Sequence, residues 1–223
     1  MDYRHEWKHN INYSDMIALR QSLQLIASPD KNAIDGRYHI RSIYFDNLYD
    51  TALREKIDGV NKREKFRIRL YNNDTSYITL EKKSKINGLC SKQINRLTLE
   101  EAKLIQAGEY EWMRKSDKPL VTEVFSKMQS QGIKPKTIVD YDREPYIYGP
   151  GNVRVTFDYN IRTGLMETDF LNPDCITIPA GDPVIILEVK WDEFLPDVIK
   201  NAIQLKGRQV SAFSKYAACR IYG

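Results

Sequence analysis

The sequence predicts an α+β protein: a closed antiparallel β-barrel with a charged interior and helices packed outside. Three observations predict it. Strand-length segments scattered over the whole chain alternate apolar with charged residues; the charged positions are Arg and Lys with interspersed Glu; and amphipathic helices lie between the strands. Successive strand residues point to opposite faces, so each such strand has one apolar and one charged face. A sheet with its charged side in water would explain the alternation alone. The helices, however, need an apolar surface to cover, and covering it turns the charged side inward. Closure also removes exposed sheet edges.

The elements follow in chain order. Arg4, Glu6 and Lys8 alternate with His5 and Trp7. Residues 12–26 read as a helix, with Met16, Leu19, Leu23 and Ile26 at helical spacing and Ser14 as N-cap. Residues 28–37 read as loosely ordered, and 39–46 as a strand in which Tyr44 and Asp46 fit either the barrel interior or a strand-end turn. Lys62, Arg63 and Lys65 read as a solvated strand start. Arg67, Arg69 and Tyr71 then alternate with Phe66, Ile68 and Leu70; Thr79, Glu81, Lys83 and Lys85 alternate with Ile78 and Leu80. Lys82 falls on the opposite, exterior face. A strand is expected over 90–97.

The helix at 99–107 opens after Thr98 with Glu100 and Glu101 in its first turn, where the helix dipole favours acids. Pro119 starts another, over 118–131, with Leu120, Val124 and Met128 on one face. Strands follow at 136–148 and where Arg154, Thr156 and Asp158 alternate with Val153, Val155 and Phe157. Residues 166–182, with Asn172, Pro173, Pro179 and Gly181, read as a long loop. Glu188 and Lys190 alternate with Leu187, Val189 and Trp191, and helices at 196–205 and 211–219 close the pattern.

The length of 223 residues suits one domain, 1–223. The net charge of +4 is small and spread along the chain, so it gives no reason to expect DNA. The polar start MDYRHEWKHN is neither a signal nor a transit peptide. The longest apolar stretch, around 183–189, is too short to span a bilayer. Cys90, Cys175 and Cys219 are far apart and form no CxxC pair, which predicts reduced thiols rather than zinc or disulfides. His5, His9 and His39 have no metal-ligand spacing. These features predict a cytoplasmic protein.

A cationic interior demands a ligand. Two like charges 6–7 Å apart repel by roughly 2–3 kcal/mol at an effective dielectric near 20. A polyanion turns that repulsion into attraction, and the planar fork of Arg suits phosphate oxygens. Carboxylates among the cations would oppose an anion, unless a hard cation such as Mg²⁺ or Mn²⁺ bridges Glu and phosphate.

The start Arg4-His5-Glu6-Trp7-Lys8 resembles the Glu-x-Lys signature of triphosphate tunnel metalloenzymes. More narrowly, RHEWKHNI, RSIYFDN, KFRIRLY, ITLEKKSK, VDYDREPYIY, VRVTFDYNI, ILEVKWDEFLP and SAFSKY, in this order, resemble the catalytic domain of the vacuolar transporter chaperone (VTC) polyphosphate polymerases. The resemblance implies an eight-stranded antiparallel tunnel. It also implies a transferase that moves the terminal phosphoryl of ATP or another nucleoside triphosphate onto a growing polyphosphate chain, with Mn²⁺ or Mg²⁺ as cofactor. Carried over by position, Lys8, Arg67, Arg69, Lys83, Lys92, Arg143 and Arg154 match phosphate-binding residues. Lys8, Arg67, Arg69, Lys83, Arg143 and Arg154 carry the catalytic role. Lys190 and Lys215 join them as phosphate ligands. Glu188 matches the metal-binding glutamate, with Glu6 as its companion. Arg4 stands where the triphosphatase branch has another acid, which favours the polymerase branch. Export of the product would need a separate membrane protein, which would hold this chain at the inner face of the membrane.

Two alternatives stay open. One is a metal-dependent tri- or polyphosphate hydrolase, with Glu81 or Asp158 as the base that activates water. The other is a non-catalytic module for polyphosphate or RNA ends, in which Tyr44, Tyr71 and Tyr77 would stack on bases.

Overall fold

The computed structural model describes residues 4–205 and 212–221. Its strands are β1 (His5–Ile11), β2 (Ser28–Pro29), β3 (Tyr38–Asp46), β4 (Arg63–Tyr71), β5 (Ile78–Ile86), β6 (Leu89–Leu97), β7 (Lys134–Tyr148), β8 (Val153–Thr163), β9 (Ile178–Pro179) and β10 (Ile185–Trp191). Eight of them form one curled antiparallel sheet in the order β1-β10-β8-β7-β3-β4-β5-β6, with β2 and β9 as two-residue additions to β7 and β8. The two ends of that order, β1 and β6, meet at a single backbone bridge between Arg4 and Cys90. The barrel therefore has seven hydrogen-bonded seams and an eighth that is barely stitched.

The helices are α1 (Tyr13–Ile26), α2 (Thr51–Ile57), α3 (Leu99–Ala107), α4 (Pro119–Gln131), α5 (Asp197–Ala202) and α6 (Lys215–Arg220). Asn12, not Ser14, caps α1. Its side chain accepts from the Asp15 N–H at 2.8 Å while Asp15 accepts from the Asn12 N–H at 3.1 Å, a reciprocal capping box. Thr98 and Glu101 form the same box on α3. The two C-terminal helices are shorter than expected. Ser214 caps α6 by accepting from Ala217, so the helix begins there, and Ser211 lies outside the described residues. Between β5 and β6, Asn87 and Gly88 both take positive φ, as a two-residue hairpin requires. Helix α2 was not expected. It buries none of its residues, so it carries no apolar stripe to read.

Apolar strand faces point outward and are covered. Helices α3 and α4 pack on Phe66, Ile68, Leu70, Ile78 and Leu80. Helices α1 and α5 cover Val153, Val155, Phe157, Leu187 and Val189, with Trp7 and Trp191 at the margin. Each fully buried Leu or Ile contributes about 1.5–3 kcal/mol. This burial holds the charged strand faces turned inward. Lys82 lies outside, as its register predicts, and pairs with Glu64 and with Glu123 of α4. Among the described residues no helix is long and apolar enough to cross a membrane.

Candidate active site

The inward faces enclose a cavity of about 570 Å³, within the range of ligand sites. Lys8, Arg67, Arg69, Lys83, Lys92, Arg143, Arg154, Lys190 and Lys215 all line it, as do Glu6 and Glu188. Period-two alternation explains the convergence. Residues 63, 65, 67 and 69 of β4 face the same way as residues 79, 81, 83 and 85 of β5, because the register sets Lys65 opposite Lys83 and Arg67 opposite Glu81. On the far side, Lys8 stands opposite Glu188 and Glu188 opposite Thr156.

The carboxylates are held by cations. Asp158, fully buried, accepts from Arg143 Nε at 2.6 Å and Nη2 at 2.7 Å, and from Lys215 Nζ at 2.5 Å. Burial would raise its carboxyl, but Arg143 and Lys215 outweigh that and hold it at about 2. Glu81 accepts from Arg67 Nε at 2.7 Å and pairs with Lys92 at 2.6 Å. Burial pushes it up, yet Arg67, Arg69 and Lys92 keep it well below the carboxylate range. Both acids considered as bases for water are thus locked in their ionised form.

Glu6 and Glu188 sit together. Lys8 Nζ lies 2.7 Å from Glu6 and 3.4 Å from Glu188, and Lys190 pairs with both. Glu6 also reaches Lys83 at 2.7 Å, across the open seam. Burial and the neighbouring Glu188 push the Glu6 carboxyl up, but Lys83, Lys8 and Lys190 bring it down further. Glu188 is likewise raised by burial and lowered more strongly by Lys190 and Lys8. Among the described residues no three His, Cys, Asp or Glu side chains cluster as an all-protein metal cage. Two adjacent carboxylates do fit Mg²⁺ or Mn²⁺, because such ions usually take one or two carboxylates and complete their shell with phosphate oxygens and water.

Arg154 lines the cavity but binds Asp30 of the 28–37 segment at 3.1 Å. That segment is anchored where Ser28 and Pro29 pair with β7. The open question at Tyr44 and Asp46 resolves into two answers. Tyr44 lines the cavity, with its hydroxyl accepting from Arg67 Nη1 at 2.7 Å. Asp46 is a tether: it accepts from the backbone of Ala52 in α2 and from the Tyr216 hydroxyl of α6. Arg63 and Lys65, expected as a solvated strand start, line the cavity too, as do Lys56, Lys85 and Tyr141. The parity of Lys65 with Arg67 was the available signal. For Lys56 there was none, since α2 had no readable pattern.

A family model described as the VTC domain matches residues 3–221. No curated protein matches the chain by sequence. Among solved structures, the chain is similar to a "putative adenylate cyclase" from Bacillus halodurans, with 14% identity, a TM-score of 0.51, and coverage of 85% of this chain and 80% of that one. It is also similar to the PH1012 protein from Pyrococcus horikoshii OT3, with 13% identity, a TM-score of 0.48, and coverage of 97% and 99%. The first likeness bears on the fold alone.

Proposed function

The chain belongs to the VTC domain family, and on that premise we propose that it is a polyphosphate polymerase-like phosphotransferase, moving the terminal phosphoryl of ATP onto a growing polyphosphate chain. The observation that carries this reading is the cavity wall. Fourteen Lys and Arg residues line one cavity, together with the inward-facing Glu6 and Glu188. Such an excess is relieved by a chain of phosphates, which brings one or more negative charges per unit.

Phosphoryl transfer needs positioning and charge stabilisation more than covalent chemistry. Arg67, Arg69, Arg143 and Arg154 would clamp non-bridging oxygens through paired N–H donors. Lys8 and Lys83 would steady the attacking and leaving phosphates, with Lys92, Lys190 and Lys215 along the chain. Glu188 and Glu6 would hold a divalent ion, which when bound supplies neutralising charge at the β and γ oxygens. The state of Glu81 and Asp158 favours transfer over hydrolysis. A carboxylate bound by two or three cations is a poor acceptor for a proton from water, whereas an ionised phosphate acceptor needs none removed.

The test is incubation with ATP and Mn²⁺, read by a gel stained for long polyphosphate and by free phosphate release. A ladder is the expected result. Phosphate without a ladder would make the protein a hydrolase, and neither would leave a binding module. Glu188→Gln is expected to lower ladder formation ~100-fold at a given Mn²⁺ concentration, since it removes one of two metal-facing carboxylates.

A further inference from the structure

Most cavity cations already hold a carboxylate. Lys65 does not: among the described residues its ammonium has no carboxylate within ion-pair distance. It lies instead over the Tyr44 ring, 5.4 Å from the centroid. Tyr44 is itself buried at 3% exposure, stacks on Tyr216 at 4.9 Å, and accepts from Arg67. In register Lys65 stands opposite Lys83, whose own ammonium is taken by Glu6.

We propose that Lys65 is a phosphate-binding residue of this cavity, and that Lys65 and Tyr44 take up protons as a phosphate chain enters. This rests on the reading of the cavity as a phosphate tunnel and adds to it a residue and a coupling.

The charges around the pair set the direction. From β5 come Lys83 and, beyond it, Glu81; from β1, Lys8; from β4 itself, Arg67 and Arg69. Lys56 of α2, Lys92 of β6, Tyr141 of β7, and Lys215 and Tyr216 of α6 line the same space. Glu81, Glu6 and Asp158 are each engaged by other cations. Burial disfavours the Lys65 ammonium; Tyr44 opposes that, but Lys83, Arg67 and Lys8 add to it, and the group falls to about 7. Burial would raise the Tyr44 phenol, yet Arg67, Lys65 and Arg69 bring it down to about 7. Near neutrality the empty pair therefore holds fewer protons than the free side chains would. An entering phosphate reverses both terms. Its charge favours the ammonium and disfavours the phenolate, and a protonated phenol can donate to a phosphate oxygen. The carboxylates cannot respond in this way, because they stay ionised before and after binding. Proton uptake on binding means that affinity falls as pH rises above about 7.

The experiment is titration calorimetry of the full chain with inorganic tripolyphosphate at pH 8, without metal, in two buffers of different ionisation enthalpy. Wild type is expected to take up protons. Lys65→Met should bind about tenfold more weakly or worse, for loss of a charge-assisted contact, with uptake lower by about one proton. Lys65→Arg, charged at every pH used, should keep the affinity and lose that proton. Protons released by tripolyphosphate itself are common to all three and cancel in the differences. Wild-type affinity together with wild-type uptake in Lys65→Met would overturn the proposal. If that variant fails to fold, unchanged uptake in Lys65→Arg overturns it equally. Because no turnover is read, an absence of phosphoryl transfer leaves this result standing. A wild-type protein that does not bind tripolyphosphate sinks the tunnel reading and this coupling with it.

Discussion

Two walls of the cavity carry similar cations but differ in what faces them. On the β7–β8–β10–β1 wall, Arg143 and, from α6, Lys215 share Asp158, while Lys8 and Lys190 share Glu188 and Glu6. At the outer end of the β4–β5 wall, Arg63, Lys65 and Lys85 have no carboxylate partner among the described residues. A neutralised wall is a fixed scaffold that aims its donors at little electrostatic cost. An unneutralised wall supplies net attraction and bears a cost when empty. The difference suggests a division of labour in which one side orients phosphates and the other draws them in.

The strongest way to break this contrast is Asp158→Asn. It leaves Arg143 and Lys215 facing each other in a buried site without a counter-charge, and should cost about 3–5 kcal/mol in denaturant unfolding. A loss under ~1 kcal/mol would mean that the paired wall is no more fixed than the other.

A smaller effect sharpens the unpaired side. Lys65 falls from 10.5, and Tyr44 from 10.0, to about 7 in the folded protein. Both folded values lie below the unfolded ones, so between pH 7 and 10 the unfolded chain binds more protons and stability rises with pH. Cys219, pushed up to about 12 by burial, opposes this above pH 9. The ligand-free protein should therefore be more stable at pH 9 than at pH 7, read as a rise in Tm. Lys65→Met should flatten the rise, and a wild-type Tm that falls over this range would contradict the assignment. The smallest effect sets the baseline. Lys103→Ala breaks an exposed pair with Glu100 on the outer surface of α3 and should change stability by no more than ~0.5 kcal/mol.

Much of the fold and of the cavity lining is legible in the sequence. Alternation placed the barrel strands, because burial of one face forces a period of two on each, and the inward residues followed from parity. Helices with an apolar stripe were readable for the same reason. What escaped had no such stripe or depended on distant partners. Helix α2 is held by Asp46 and Asn47 accepting its first N–H groups. Helix α6 docks through Lys215 on Asp158 and Tyr216 on Asp46. The Arg154–Asp30 contact joins residues 124 apart in sequence, and no local pattern announces it. Lys65 looks solvated in the sequence because it belongs to a basic run with Lys62 and Arg63, although its parity with Arg67 points inward.

The pairing of β1 with β10 also bears on how the molecule is made. Of the strands in this sheet, the earliest made hydrogen-bonds to the latest, His5 opposite Trp191 and Ile11 opposite Ile185. At the usual 5–20 residues per second, it waits roughly ten to forty seconds for that mate. Arg4, Glu6 and Lys8 make it a poor template for stray strands meanwhile, as charge does on any bare edge. The same side chains that line the finished cavity would thus also disfavour aggregation during synthesis.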